Sequence, residues 1–234
     1  DEDMVKTLFK QAGLTDWTFE KDDGIGLRTA LYAIMNSMAE ELQMVEQQPL
    51  VVPIDQHFNV KGIGLVAIGY VQSGSVSVHD EITMLPSGGT GSVKSLQVMD
   101  DDVPTAGAGD RVGIALRNAK EESLSGTCLI VLPELEDKRK DIHRPLALES
   151  HSLSQMSLNI SPFQKRKLTV GDVLHASIDL QFVVGRVETI DGGVGTVRWE
   201  TPLLQRIENP PSVLIAQLDS KPRIMGDANL IKQE

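Results

Sequence analysis

The sequence has few of the residues on which several protein classes depend. It contains one cysteine among 234 residues, Cys128, and its aromatic residues make up only 4% of the chain. No apolar run reaches the roughly 18 to 20 residues that a membrane-spanning helix needs. These features exclude an intrachain disulfide and a helical membrane protein, and they favour a cytoplasmic location with no membrane partner.

What is present indicates a folded chain that is rich in short strands. Hydrophobic residues make up 41% of the sequence and charged residues 24%, which excludes a disordered chain. Twenty glycines and 11 prolines interrupt short runs of Val, Ile and Leu. Short apolar runs between such residues are typical of strands joined by turns. We therefore predict a mainly β fold with two small antiparallel β-barrels in series.

The first 48 residues have a different, helical pattern. Met4, Leu8 and Phe9 are spaced as on one face of a helix that would stop at Gly13. Residues 17–19 then predict a brief strand, and apolar residues at helical spacing predict a second helix over 27–45. One strand cannot form a sheet alone, so this helix-strand-helix segment indicates the remnant of an α/β domain.

The remaining sequence predicts two barrel domains, 49–118 and 119–234. The expected strands of the first are 50–58, 63–72, 80–85, 91–98 and 111–117. Those of the second are 127–132, 145–151, 155–160, 173–187, 193–200 and 212–218. Leu174, Ala176 and Ile178 alternate with polar residues, as a half-buried strand requires.

The formal net charge of −11 argues against indiscriminate binding of nucleic acid, which depends on phosphate neutralisation by Lys and Arg. Two basic clusters nevertheless stand out in the second half of the chain. These are Lys138, Arg139 and Lys140, and Lys165, Arg166 and Lys167. Each cluster is compatible with a phosphate backbone contact, and equally with a solvated loop or a protected strand edge.

No catalytic, metal or cofactor-binding site is predicted from the sequence. It contains no Gly-x-x-x-x-Gly-Lys-Ser/Thr phosphate loop, since the nearest segment, 88–95, has valine before its lysine. Its histidines show no metal-ligand spacing. Cys128 lies in an apolar run, which favours a buried structural thiol over a nucleophile.

Three consecutive segments carry a resemblance to a known family. They read PIDQHFNVKGIGLVAIG over 53–69, YVQSGSVSVHDEITMLPSG over 70–88 and VKSLQVMDDDVPTAGAGDRVGIALRN over 93–118. This order is similar to the second domain of translational GTPases such as EF-Tu and especially SelB. The resemblance implies that residues 49–118 and 119–234 are domains II and III of such a factor. It also implies that residues 1–48 are the end of its GTPase domain.

In the family, domain II helps to hold the aminoacyl group and the 3′ end of tRNA. The resemblance places Asp55, Gln56, His57 and Phe58 in that pocket, with barrel core as the other reading of Phe58. It assigns RNA-backbone contacts to the two basic clusters, and aminoacyl-tRNA and the ribosome as partners. The chain itself is predicted to be no enzyme, because it also lacks the Asn-Lys-x-Asp motif that recognises guanine. GTP and Mg²⁺ are expected only where an intact GTPase domain lies upstream.

Some positions depart from the family pattern. Leu65 and Ile68 replace two threonines, and Ser125 stands where arginine is usual. The alternative hypothesis is therefore a divergent elongation-factor paralogue whose barrels act as a protein-interaction or regulatory scaffold.

Overall fold

The computed structural model describes residues 2–11, 17–137 and 142–231. The chain divides into two compact units, Asp1–Leu42 and Gln43–Glu234. In the described part, no helix is both long enough and apolar enough to cross a membrane.

The first unit is helical. It contains helix α1 (Glu2–Gln11) and most of helix α2 (Ile25–Glu46). The ring of Phe9 meets the rings of Trp17 and Phe19 edge to face, with centroids 5.5 and 5.4 Å apart. Asp23 caps the start of α2, because its Oδ1 accepts a hydrogen bond from the backbone N–H of Gly26.

The prediction of two helices in this region is confirmed, whereas the strand between them is not found. Residues 17–23 form no strand in the described chain, so the prediction of a brief strand over 17–19 is wrong. The physical reason is that a strand needs a partner, and these residues have none there. The predicted stop at Gly13 lies outside the described residues.

Nine strands form the first barrel and its attachments. They are β1 (Val51–Val60), β2 (Gly64–Tyr70), β3 (Ser75–Ser77), β4 (Glu81–Leu85), β5 (Gly89–Val98), β6 (Asp101–Val103), β7 (Thr105–Gly107), β8 (Arg111–Arg117) and β9 (Leu129–Val131). The barrel closes in the order β4-β9-β1-β2-β8-β5, because the last strand of this order, β5, also pairs with the first, β4. Strand β6 extends β5, and β3 pairs with β7 in a separate two-stranded sheet.

Eight strands follow. They are β10 (Leu135–Asp137), β11 (Ile142–Arg144), β12 (Leu148–Ile160), β13 (Val173–Ile178), β14 (Gln181–Asp191), β15 (Val194–Arg206), β16 (Val213–Ala216) and β17 (Ile224–Leu230). Strands β10 and β11 form a separate two-stranded sheet, whereas the last six close a second barrel in the order β12-β15-β14-β13-β16-β17. The predicted fold of two antiparallel barrels in series is thus confirmed.

Several strand assignments in the second half differ from the prediction, and strands β10 and β11 were not predicted. Residues 145–151 and 155–160 belong to one long strand, β12, while 173–187 divides into β13 and β14. Asp179 and Leu180 turn the chain there with φ angles of 45° and 58°, although the turn contains no glycine. Strand β17 was not predicted, because its apolar positions are separated by Gly226 and Asp227.

Strand β9 is the most consequential difference. Residues 127–132 were expected to start the second barrel, but β9 pairs with β1 and β4 of the first. The first barrel therefore extends to Val131 and does not end at residue 118. A fully buried strand has no polar alternation, so its sequence does not indicate which sheet it joins.

Each barrel encloses its own hydrophobic core, and a third cluster joins them. Leu129 and Val131 of β9 pack with Val51 on the outer side of the first barrel, against residues of the second. The second barrel contributes Ala147, Leu148 and Leu204. We call these six residues the inter-barrel cluster.

The buried side chain of Gln181 holds Leu204 in position. Its Nε2 donates to the carbonyl oxygen of Leu204 at 2.7 Å, and its Oε1 accepts from the Leu204 N–H at 3.0 Å. The amide thus satisfies the backbone of β15 where Leu204 enters the inter-barrel cluster.

We predict that Leu204→Ala lowers the free energy of unfolding by about 3 kcal/mol, because it empties a buried leucine site at this junction. Urea unfolding followed by far-UV circular dichroism measures the loss. The matched control is Leu146→Ala, since Leu146 lies nearby but is 50% exposed. Equal effects of the two substitutions would contradict a stabilising role for the cluster.

Candidate functional site

The four predicted pocket residues lie on the second half of β1. The pairing of β1 with β2 shifts between Ile54 and Gln56, so Asp55 lies at a β-bulge. Gly69 faces this bulge, and a Cβ atom there would be 2.3 Å from the carbonyl oxygen of Pro53. The close approach of the two backbones therefore requires glycine at position 69.

The pairing register separates these residues onto two faces. Gln56 is opposite Ile68 and Phe58 is opposite Val66, whereas His57 is opposite the buried Ala67. Directly paired residues point to the same side of a sheet. Gln56 and Phe58 thus lie on the outer face, and His57 lies on the inner side.

Phe58 is 40% exposed and is not part of the core of the first barrel. Its ring is therefore available on the outer face. This position contradicts the reading of Phe58 as a core residue.

Asp55 belongs to a cluster of charged and aromatic side chains. Its Oδ2 lies 3.7 Å from Nη2 of Arg111, and the Arg111 guanidinium lies 5.7 Å from the ring centre of Tyr70. Tyr70 and Arg111 are paired neighbours on β2 and β8. We call Asp55, Tyr70 and Arg111 the outer-face cluster.

Sequence reasoning missed Arg111 as a site residue. The available signal was the AGDRVG segment, in which the Gly109-Asp110 turn leads directly into β8. The turn is ordered, because the carboxylate of Asp110 accepts a hydrogen bond from the N–H of Gly107 at 2.9 Å. Arg111 is therefore the first residue of a strand with a well-defined start.

A groove runs beside the outer-face cluster. Its volume is about 520 Å³, and its lining includes Ile68, Gln97, Met99, Arg111 and Gly113. Gly113 leaves space at its position, since a Cβ there would meet no atom closer than 3.9 Å. The groove combines apolar surface with charged side chains of both signs, since Asp100 and Asp110 line it together with Arg111.

The second basic cluster lies in the loop between β12 and β13. Arg166 is held in place there, with Nη2 2.9 Å from Oδ1 of Asp172 and Nη1 3.0 Å from Oδ2 of Asp219. Lys165 and Lys167 are exposed and form no ion pair within the described ranges. The two lysines, rather than Arg166, are thus free to contact a phosphate.

The first basic cluster, Lys138, Arg139 and Lys140, lies outside the described residues. Its expected role in binding RNA stays a prediction.

The single cysteine, Cys128, lies in the core of the first barrel. Burial raises the pKa of Cys128 to about 12, so the thiol stays protonated. No group of three potential metal ligands occurs in the part of the chain that the structure describes.

Comparisons with known proteins are consistent with this architecture. The family model of elongation factor Tu domain 2 matches residues 64–131, which include Tyr70, Arg111 and β9. An uncharacterised protein of Methanocaldococcus jannaschii is 28% identical over 82% of this chain and 56% of its own length. The selenocysteine-specific elongation factor of the same organism is 32% identical over 64% of this chain and 31% of its own length. The chain is related to the translational GTPases of the SelB and EF-Tu type.

Solved structures of these factors share the fold of the chain. SelB from Methanococcus maripaludis in complex with the GTP analogue GppNHp has a TM-score of 0.72 and 20% identity, over 99% of this chain and 54% of that one. A bacterial selenocysteine-specific elongation factor has a TM-score of 0.71 and 19% identity, over 98% and 36%. This SelB-like chain therefore spans about half or less of the known proteins it matches.

We predict that Asp172→Asn destabilises the chain by about 1–2 kcal/mol at pH 7. Burial opposes ionisation of this side chain, but hydrogen bonds from Thr169 and the charge of Arg166 together lower its pKa below 3.8. The stabilisation is therefore present above the ordinary carboxyl pKa and is lost as the pH falls through the folded value. Urea unfolding at several pH values tests this prediction.

The matched control is Asp219→Asn. Asp219 also contacts Arg166 but is 72% exposed, so its replacement should cost less. If the difference between wild type and Asp172→Asn does not shrink as the pH falls below 3.8, the carboxylate is not the stabilising group.

Proposed function

We propose that this chain is the tRNA-binding and domain-coupling part of a SelB-like elongation factor. The observation that carries the proposal is the outer-face cluster, since Tyr70 and Arg111 lie in the matched domain and Asp55 joins them across the sheet. The relation to elongation factors supports aminoacyl-tRNA and the ribosome as partners.

The outer-face cluster and Phe58 offer groups suited to the charged end of a tRNA. The Asp55 carboxylate can pair with the α-amino group of an aminoacyl ester, and its 3.7 Å contact with Arg111 leaves it accessible. The exposed ring of Phe58 can stack on a base. Gln56, on the same face, can add a hydrogen bond.

The arm of the tRNA would meet the second barrel. Lys165 and Lys167 are exposed cations that can neutralise backbone phosphates, whereas the charge of Arg166 is matched by Asp172 and Asp219. The expected contribution of this cluster to RNA binding therefore comes mainly from the two lysines.

Binding and hydrolysis of GTP are assigned elsewhere in this proposal. GTP and Mg²⁺ would act only through an intact GTPase domain upstream in the same protein. The barrels would then present tRNA to the ribosome, while the upstream domain would control its release.

Fluorescence titration of the chain with aminoacylated and uncharged tRNA at two salt concentrations tests the proposal. We expect binding that weakens steeply with salt and that prefers the aminoacylated form. If neither tRNA binds at low salt, while a pull-down recovers a defined protein partner, the scaffold hypothesis replaces this one.

We predict that the double variant Lys165→Ala/Lys167→Ala weakens tRNA binding and reduces the salt slope by about 1–2, because two phosphate contacts are lost. Arg166→Ala should change the slope less. The matched control is Lys10→Ala/Lys21→Ala in the helical unit, which removes the same charge. An equal loss in both double variants would show only a general effect of net charge.

We predict that Asp55→Asn reduces the preference for aminoacylated over uncharged tRNA by about threefold to tenfold, because the α-amino group loses a charged partner. Competition binding with the two forms of one tRNA measures the ratio. Glu81→Gln, on β4 of the same barrel, is the control. An unchanged affinity ratio would show that Asp55 does not contact the aminoacyl group.

A further inference from the structure

The outer face of the first barrel carries positive charge at the end remote from the outer-face cluster. Strand β8 begins at Arg111 and ends at Arg117, and the alternation of side chains along a strand places both on this face. Because a strand rises about 3.4 Å per residue, the two Cα atoms lie roughly 20 Å apart. The outer-face cluster therefore occupies one end of a surface whose other end lies at Arg117.

Two lysines join Arg117 at this end. Arg117 pairs with Ser92 on β5, and Lys94 lies at the bulge that follows on the same strand. The Nζ of Lys94 donates a hydrogen bond at 2.6 Å to the carbonyl oxygen of Ile63, in the turn between β1 and β2. Lys61 lies in the same turn. We call Lys61, Lys94 and Arg117 the basic end of the outer face.

The charge of the basic end is not neutralised by a neighbouring acid. None of its three side chains forms an ion pair in the part of the chain that the structure describes, although Glu81 pairs with Ser92 one strand further on. The hydrogen bond from Lys94 goes to a neutral carbonyl oxygen, so the ammonium group keeps donors for another acceptor. Three uncompensated cations in a chain of net charge −11 favour an anionic partner at this point.

Between its two charged ends, the outer face is open and apolar. Gly113 carries no side chain, and a Cβ atom there would meet no atom closer than 3.9 Å. The exposed Phe58 pairs with Val66, which in turn pairs with Ala115 of β8. This row offers an aromatic ring on which a base can stack.

We propose that the basic end binds a backbone phosphate of the single-stranded 3′ end of tRNA, a few nucleotides from the aminoacyl ester. The inference rests on the proposed function, because it takes the aminoacyl group to lie at Asp55. It sets the direction of the RNA along β8, with the ester near Arg111 and the phosphate at Arg117. The ring of Phe58 between the two ends favours RNA over an acidic peptide, because a base stacks on such a ring.

Titration of the complete chain with short fluorescent RNAs tests the proposal. The RNAs are single-stranded, end in CCA or its last two nucleotides, and have lengths of two to six nucleotides. We expect the affinity to rise about threefold to tenfold at the length whose phosphate first reaches the basic end, and to change little beyond it. The salt slope should rise by about 0.7 at the same length, because one more phosphate is neutralised.

Lys61→Gln/Arg117→Gln removes two charges and keeps the hydrogen bond of Lys94. In this variant the longer RNAs should bind no more tightly than the dinucleotide. The matched control is Lys221→Gln/Arg223→Gln, which removes the same charge from the exposed loop between β16 and β17. Circular dichroism verifies that both variants fold. A smooth rise of affinity with length, an equal loss in the two variants, or tighter binding of a glutamate-rich peptide than of RNA would each overturn the proposal.

Titration of the unmodified chain with aminoacylated and uncharged tRNA separates this inference from the proposed function. If the chain prefers the aminoacylated form but shows no step with RNA length, only the phosphate site at the basic end is wrong. If neither tRNA binds, the proposed function fails, and the phosphate site fails with it.

Discussion

The second unit depends on strand β9, whose side chains are buried on both faces of the strand. Its Ile130 packs into the core of the first barrel, while Leu129 and Val131 belong to the inter-barrel cluster. Three residues thus close one barrel between β1 and β4 and attach it to the next. Because every side chain of the strand is buried, its hydrogen bonds are shielded from water, and neither barrel can move at this contact without exposing apolar surface.

Most of the fold could be predicted because alternation and turn residues are local signals. The strands of the first barrel except β3, β6, β7 and β9 follow from short runs rich in Val, Ile and Leu that lie between glycines and other turn residues. The short strands lack enough residues to show a period. Strand β9 shows no period because both of its faces are buried, and the β13–β14 turn uses Asp179 and Leu180 where glycine is usual.

The candidate site was predictable only in part, because side-chain partners are distant in sequence. The PIDQHF segment indicated Asp55 and Phe58, but the face on which each residue lies depends on the bulge. Arg111 joins Asp55 across β2, and Asp219 reaches Arg166 from a loop 53 residues away. A run of basic residues predicts positive charge, whereas the folded chain determines how much of that charge is already neutralised.

The bulge at Asp55 has a consequence for how this surface can change during evolution. Since even one added carbon at Gly69 would collide with the backbone of Pro53, the path of the two strands is restricted while the side chain at position 55 stays exposed. Substitutions can thus alter which chemical group is presented without altering the direction in which it is presented. Related barrels can acquire new ligand preferences at this point by single replacements, with the scaffold beneath them unchanged.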